Sequence, residues 1–157
     1  MTKEEIMNIA IEESRINAET NYTNGGPFGA VIVKDGQIIS KGHNTVIQSK
    51  DATAHAEVNA IRKASEVLGT HDLSGCTLYT SAEPCPMCLS AIIWANIKEV
   101  YYANTKEDAD NIGFRDDMIY DYLKGEKTET IKLYNIERDK AIKVFEDFQN
   151  NTDKQMY

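Results

Sequence analysis

In His55-Ala56-Glu57 an imidazole and a carboxylate stand two residues apart, and in Cys85-Pro86-Met87-Cys88 two thiols stand three apart. The second spacing places both side chains on one face of a helix's first turn. There the positive end of the helix dipole and the nearby backbone N–H groups favour thiolates. Two thiolates alone do not complete a zinc site. His55 supplies a third ligand, and three protein ligands leave the fourth tetrahedral position for water, which separates a catalytic zinc from a structural one. A structural site would need a fourth ligand from His43, His71 or Cys76, none of which falls at a finger or ribbon spacing. Glu57 has the chemistry of a general base: a carboxylate beside an acidified water, but off the metal, accepts its proton and hands it on. The plainer reading is a CxxC redox pair and an unrelated polar helix start, and either motif alone would leave it standing. Both motifs together, in this order and each at the start of a helix, favour zinc hydrolytic chemistry.

The elements that must position these groups are legible in outline. Thr2 and Glu5 form a capping box for a first helix reaching about Thr20, with Ile6, Ile9, Ala10, Ile16 and Ala18 as its apolar stripe. The runs 29–33 and 37–40 flank Asp35-Gly36, a hairpin signal. A second helix spans about 53–68 and stops at Gly69; Thr77 to Thr80 is a short strand, and Pro86 opens a helix to about Ala95. Glu99 to Ala103 is predicted as a buried strand, followed by a helix from Lys106, an irregular stretch from Gly113 to Gly125, a strand near Thr130 to Tyr134 and a last helix from about Asp139 to Gln149. Strands alternating with helices after an opening hairpin imply a three-layer α/β/α sandwich around a mixed sheet, with five strands in this reading.

Composition narrows the function classes. A chain of 157 residues without repeats or linkers fits a single domain spanning 1–157, and 41% hydrophobic with 27% charged residues is the profile of a globular protein. With 17 Lys+Arg against 25 Asp+Glu the net charge is −8, which repels phosphate backbones and anionic lipid, so neither nucleic acid nor membrane is the expected partner. Thr2 to Glu13 lacks a basic leader and no 18 apolar residues run together, so a cytoplasmic location is expected. An odd set of three cysteines, Cys76, Cys85 and Cys88, argues against a disulfide framework and for metal or thiol chemistry.

The H-x-E…P-C-x-x-C pattern is that of zinc deaminases, and the chain resembles the cytidine deaminase-like zinc hydrolases. Within them, "GGPFGAVIVKDG", "ATAHAEVNAIR" and "TSAEPCPMC" are similar to the branch holding guanine deaminases and tRNA adenosine deaminases. "GFRDDMIYD", from Gly113 to Asp121, and the terminal tyrosine resemble the guanine deaminase side, although Arg115 beside Asp116-Asp117 departs from its pattern. The resemblance implies one Zn2+ per subunit, a small purine substrate deaminated at C2, and a role in purine catabolism or salvage. It implies that Asn44 presents its amide to the base, against a bare role as a turn residue. It makes Phe28, Trp94 and Phe114 substrate contacts, where core packing is the alternative for each, and puts Ala56 at the substrate beside them. Asp116 becomes the pocket carboxylate, against a solvated acidic loop. The resemblance further implies a homodimer exchanging its C-terminal helix and tail, about 139–157, so that Tyr157 reaches the partner's site. The competing readings are a tRNA adenosine deaminase, a deaminase of another small ring such as guanosine, cytosine or an amino-triazine, and a non-catalytic zinc-binding module.

Overall fold

Thr2 caps the first helix as its spacing to Glu5 requires: the Glu5 N–H donates to Thr2 Oγ1 at 3.1 Å and the Thr2 N–H donates to Glu5 Oε2 at 2.8 Å. The computed structural model describes all 157 residues, which divide into two compact units, Met1–Asp116 and Asp117–Tyr157. The first unit runs α1 (Lys3–Arg15), a 3-10 turn (Ile16–Thr20), β1 (Gly29–Lys34), β2 (Gln37–His43), α2 (Val46–Ser49), α3 (Ala56–Leu68), β3 (Cys76–Ala82), α4 (Pro86–Trp94), β4 (Glu99–Asn104) and α5 (Lys106–Asn111). The α-helical part of the first helix ends at Arg15; the chain then tightens into the 3-10 turn, which stops where Asn21 and Tyr22 adopt φ of 55° and 60°.

The β1–β2 turn carries the conformation its sequence demands, with Asp35 and Gly36 at φ 50° and 76°, the pair of positive dihedrals that matches hairpin twist. The sheet order is β2-β1-β3-β4, with β1 antiparallel to β2 and β3, and β3 parallel to β4. Alternation along β1 divides the core. Val31 and Val33 join Ile6, Ala10 and Tyr79 on the α1 face, while Ala30 and Ile32 join Ala56, Ala60, Ala64, Leu78 and Ile92 on the face of α3 and α4. The first unit is therefore the expected three-layer α/β/α sandwich.

Three expectations need correction. The sheet has four strands rather than five, because the segment near Thr130 to Tyr134 forms a 3-10 turn (Thr128–Thr130) and then irregular chain with no strand beside it. β4 is not buried; it is the last strand of the order and lies largely exposed. The stretch from Gly113 to Gly125 is not irregular throughout but contains α6 (Asp117–Leu123), bracketed by glycines at φ 100° and 89° that act as helix punctuation. The second unit comprises α6, the 3-10 turn, α7 (Arg138–Asn150) and the tail. No residue of it is buried, and Ile131, Leu133, Tyr134, Ile136, Val144, Phe145 and Phe148 are exposed.

Candidate active site

The metal-binding candidates stand at the starts of two helices. His55 is the N-cap residue of α3, with extended φ −70° and ψ 159°, and Cys85 is the N-cap of α4, with φ −66° and ψ 167°. Pro86 takes the first helical position of α4, where its missing N–H costs nothing, and Cys88 follows within the first turn. Glycine at position 42 lets β2 press on α3: a Cβ there would lie 2.6 Å from Ala56 O and 2.7 Å from Ala60 N.

This packing brings His55 Nδ1 to 3.6 Å from Cys85 Sγ and 3.4 Å from Cys88 Sγ. The three ligand atoms lie within 4.8 Å of one another, so His55, Cys85 and Cys88 are positioned to hold a metal ion. Their donor set, two sulfurs and an imidazole, is that of zinc rather than of a hard oxygen-seeking cation. The Cys88 and His55 hydrogen bonds hold the Cys85 thiol down at about 4, against the effect of burial, so one thiolate is formed in advance. The Cys88 thiol, donor to Cys85 and itself buried, is pushed up. Coordination to a dication would remove that proton. The hydrogen bond with Cys85 likewise raises His55.

Glu57, two residues past His55 in the first turn of α3, is 6% exposed. Burial pushes its carboxyl up to about 7, with the negative Cys85 adding to the rise and its own backbone N–H opposing it. It touches Cys88 electrostatically without being one of the three converging ligands. Ala56, between His55 and Glu57, is fully buried at the first helical position; N–H groups there have no intrahelical acceptor.

A model of the family described as the cytidine and deoxycytidylate deaminase zinc-binding region matches residues 1–104. The chain belongs to that family. It is 52% identical over 134 residues to guanine deaminase of Bacillus subtilis, covering 85% of this chain and 86% of the relative. The X-ray structure of that organism's guanine deaminase superposes with a TM-score of 0.93 at 46% identity, over 100% of this chain and 99% of the other. The tRNA-specific adenosine deaminase of Aquifex aeolicus is 44% identical over 103 residues, 66% of each chain.

Around the zinc-binding region the remaining candidates separate by place. Asn44 is buried just past β2; its N–H donates to Phe28 O at 3.1 Å, and its Oδ1 accepts from the Val46 N–H at 3.1 Å, which leaves the amide nitrogen as its donor end. Phe28 meets Phe114 edge to face, with centroids 5.0 Å apart and planes at 88°. Phe114 is held by its N–H to Ala109 O at 3.0 Å, and so by α5. Asp116 is half-buried with Oδ1 unpaired; burial and the charge on Cys85 raise its carboxyl, which places it within electrostatic reach of the zinc ligands. Its neighbour Asp117 instead opens α6. Trp94 ends α4, 66% exposed, separated by about 9 Å of helical rise from Cys88 and by about 13 Å from Cys85. Tyr157 is exposed at the end of the second unit.

Three residues of this region escape sequence reasoning. Asn17 is 1% exposed and donates to two main-chain carbonyls, Gly26 O at 2.9 Å and Asn44 O at 2.7 Å. Asn59, inside α3, donates to His43 O at 2.8 Å and Thr45 Oγ1 at 3.0 Å, fixing the chain on either side of Asn44. Glu83, two residues before Cys85, accepts from the Lys106 N–H at 2.7 Å and donates its own N–H to Asn104 O at 2.8 Å, tying the cysteine loop to the start of α5. The available signal was an asparagine inside an amphipathic pattern, where it weakens the helix unless its amide has a partner. Glu83 gave none, because its partner lies 23 residues on.

Proposed function

We propose that the protein is a zinc-dependent guanine deaminase, converting guanine and water to xanthine and ammonia, in purine catabolism or salvage. The observation that carries this reading is the extent of the likeness. In sequence it is 52% identity over 85% of this chain for the guanine deaminase of Bacillus subtilis, against 44% over 66% for the tRNA-specific enzyme of Aquifex aeolicus, and the structure of the Bacillus subtilis guanine deaminase superposes over the whole chain. The charge of −8 agrees, since an enzyme of tRNA has to hold a polyanion.

His55, Cys85 and Cys88 would hold Zn2+, which would supply a Lewis acid that makes water acidic near neutral pH. Hydrolysis adds the oxygen of water to C2 and expels the exocyclic amine. Glu57 takes the water proton, delivers it to ring N3, and moves a proton to the departing nitrogen so that ammonia leaves neutral. Burial disfavours a standing charge on this carboxyl, which eases both the uptake and the return of a proton. Asn44 offers its amide to the purine edge and Phe28, braced by Phe114, offers a ring face to the base. Asp116, its Oδ1 buried and unpaired, is the second carboxyl for the purine edge. Ala56, Trp94 and Tyr157 complete the proposed substrate contacts.

The same reading includes a homodimer that exchanges C-terminal segments. The second unit exposes the apolar side chains of 131–136 and of α7 and buries none, and β4 is an exposed strand edge. Both are features that association removes. In that exchange the C-terminal helix and tail of one chain, about 139–157, would serve its partner, and the chain 1–157 would then act as one deaminase domain assembled from two chains. No helix is long and apolar enough to cross a membrane, and thiolate ligands require a reducing compartment, for which we propose the cytoplasm.

The test is ammonia release by the zinc-loaded protein from guanine, guanosine, cytosine, an amino-triazine and an adenosine-containing anticodon stem-loop. Guanine is expected to lead in kcat/KM by at least about a hundredfold. Release from the stem-loop or from cytosine, with guanine untouched, overturns the proposal.

A further inference from the structure

Two segments far apart in the chain present the base-facing groups: the Gly25–Phe28 loop entering β1, and Asn44 leaving β2. They are pressed together. A Cβ on Gly25 would fall 2.4 Å from Asn44 Oδ1 and 2.5 Å from Asn44 O, and one on Gly26 would fall 2.9 Å from ring atoms of both Phe28 and Phe114. Only glycines allow this approach, and neither offers a side chain to hold it.

Asn17 holds it instead. Its Nδ2 reaches Gly26 O at 2.9 Å, nine residues away, and Asn44 O at 2.7 Å, 27 residues away. Both amide hydrogens are thereby used, one on each segment. With the Asn44 N–H on Phe28 O at 3.1 Å, a closed circuit runs from Asn17 through Gly26, Phe28 and Asn44 back to Asn17. The residue is 1% exposed, among the largest fully buried side chains of the chain, and sits in the 3-10 turn rather than in either apolar cluster. A buried polar group of this kind costs stability unless its pairing is complete.

We propose that Asn17 is the positioning residue of the base pocket: its amide clamps the carbonyls of Gly26 and Asn44 and thereby sets where Phe28 and Asn44 stand against the substrate ring. It does not touch the substrate. The proposal rests on the reading of the site as a purine pocket. Because the clamp lies on the ring-binding side, its loss weakens the bound base and the reacting base alike, which appears in KM and leaves kcat and the metal in place.

The experiment uses the full, zinc-loaded chain as wild type, N17D and N17A. N17D keeps the side-chain shape and removes the donors; N17A removes both. Measured are kcat and KM for guanine, the zinc content, and the calorimetric Kd of hypoxanthine, a purine without the amine that hydrolysis would expel. KM and Kd are expected to rise about tenfold in both variants, with kcat within about threefold and zinc unchanged. Unchanged KM and Kd in a folded variant overturn the proposal. So does a fall in kcat or zinc at unchanged KM, and so does failure of both variants to fold, which would assign Asn17 to global stability. A wild type inert on guanine but active on another ring refutes the functional reading alone; the clamp is then judged by the KM for that ring.

Discussion

Glu57 is the residue on which the proposed chemistry turns, since His55, Cys85 and Cys88 are positioned to hold the metal while a separate group has to move protons. E57Q preserves the shape and the helix position and removes the proton carrier. It is expected to retain one zinc per chain and to lose about 10²- to 10⁴-fold in kcat, read by ammonia release beside metal analysis. Activity above a few per cent of wild type, with zinc in place, would take the proton-carrier role from Glu57. At this scale the metal site was legible because each half, His55 with Glu57 and Cys85 with Cys88, has a short spacing at a helix start, and the two motifs together match the zinc deaminase pattern, although only the fold closes the 30 to 33 residues between them. Asn17 and Glu83 were not, because each acts on backbone 9 to 27 residues away, a relation that only the folded chain creates.

Elements with strong local punctuation also follow from the sequence. The capping box at Thr2, the Asp35-Gly36 turn, Pro86 at the start of α4 and Gly69 at φ 67° after α3 each fix a boundary by their own backbone preference. What failed depended on neighbours. β4 reads as buried because Val100 and Tyr101 are strand formers, yet burial depends on whether another strand lies beyond it, and within one chain none does. Thr130 to Tyr134 has a strand's residue types and no ladder to join. The helix Asp117–Leu123 was hidden by the two glycines around it, which read as a loop and serve as its boundaries. Gly42 shows how an element positions the site at a distance: by letting β2 approach Ala56 O and Ala60 N it sets the height of the α3 start, and with it His55 and Glu57.

On the scale of the molecule, the first unit holds the buried core and the residues positioned to hold the metal, while the second unit, none of whose residues is buried, carries Tyr157. The proposed exchange between chains makes a distinctive prediction. Under that proposal, co-refolding E57Q with a chain lacking Gln155 to Tyr157 would give mixed dimers in which one of the two sites has both an intact Glu57 and the partner's intact tail. Random pairing is expected to restore about a quarter of wild-type turnover, whereas a tail acting within its own chain restores nothing beyond the activity of the truncated protein. The metal centre itself is tested most directly by zinc-edge X-ray absorption on the loaded chain. The expected result is one zinc per chain with two sulfurs at about 2.3 Å and a single imidazole. A third sulfur or a second imidazole would mean a centre closed by protein and would contradict a hydrolytic role.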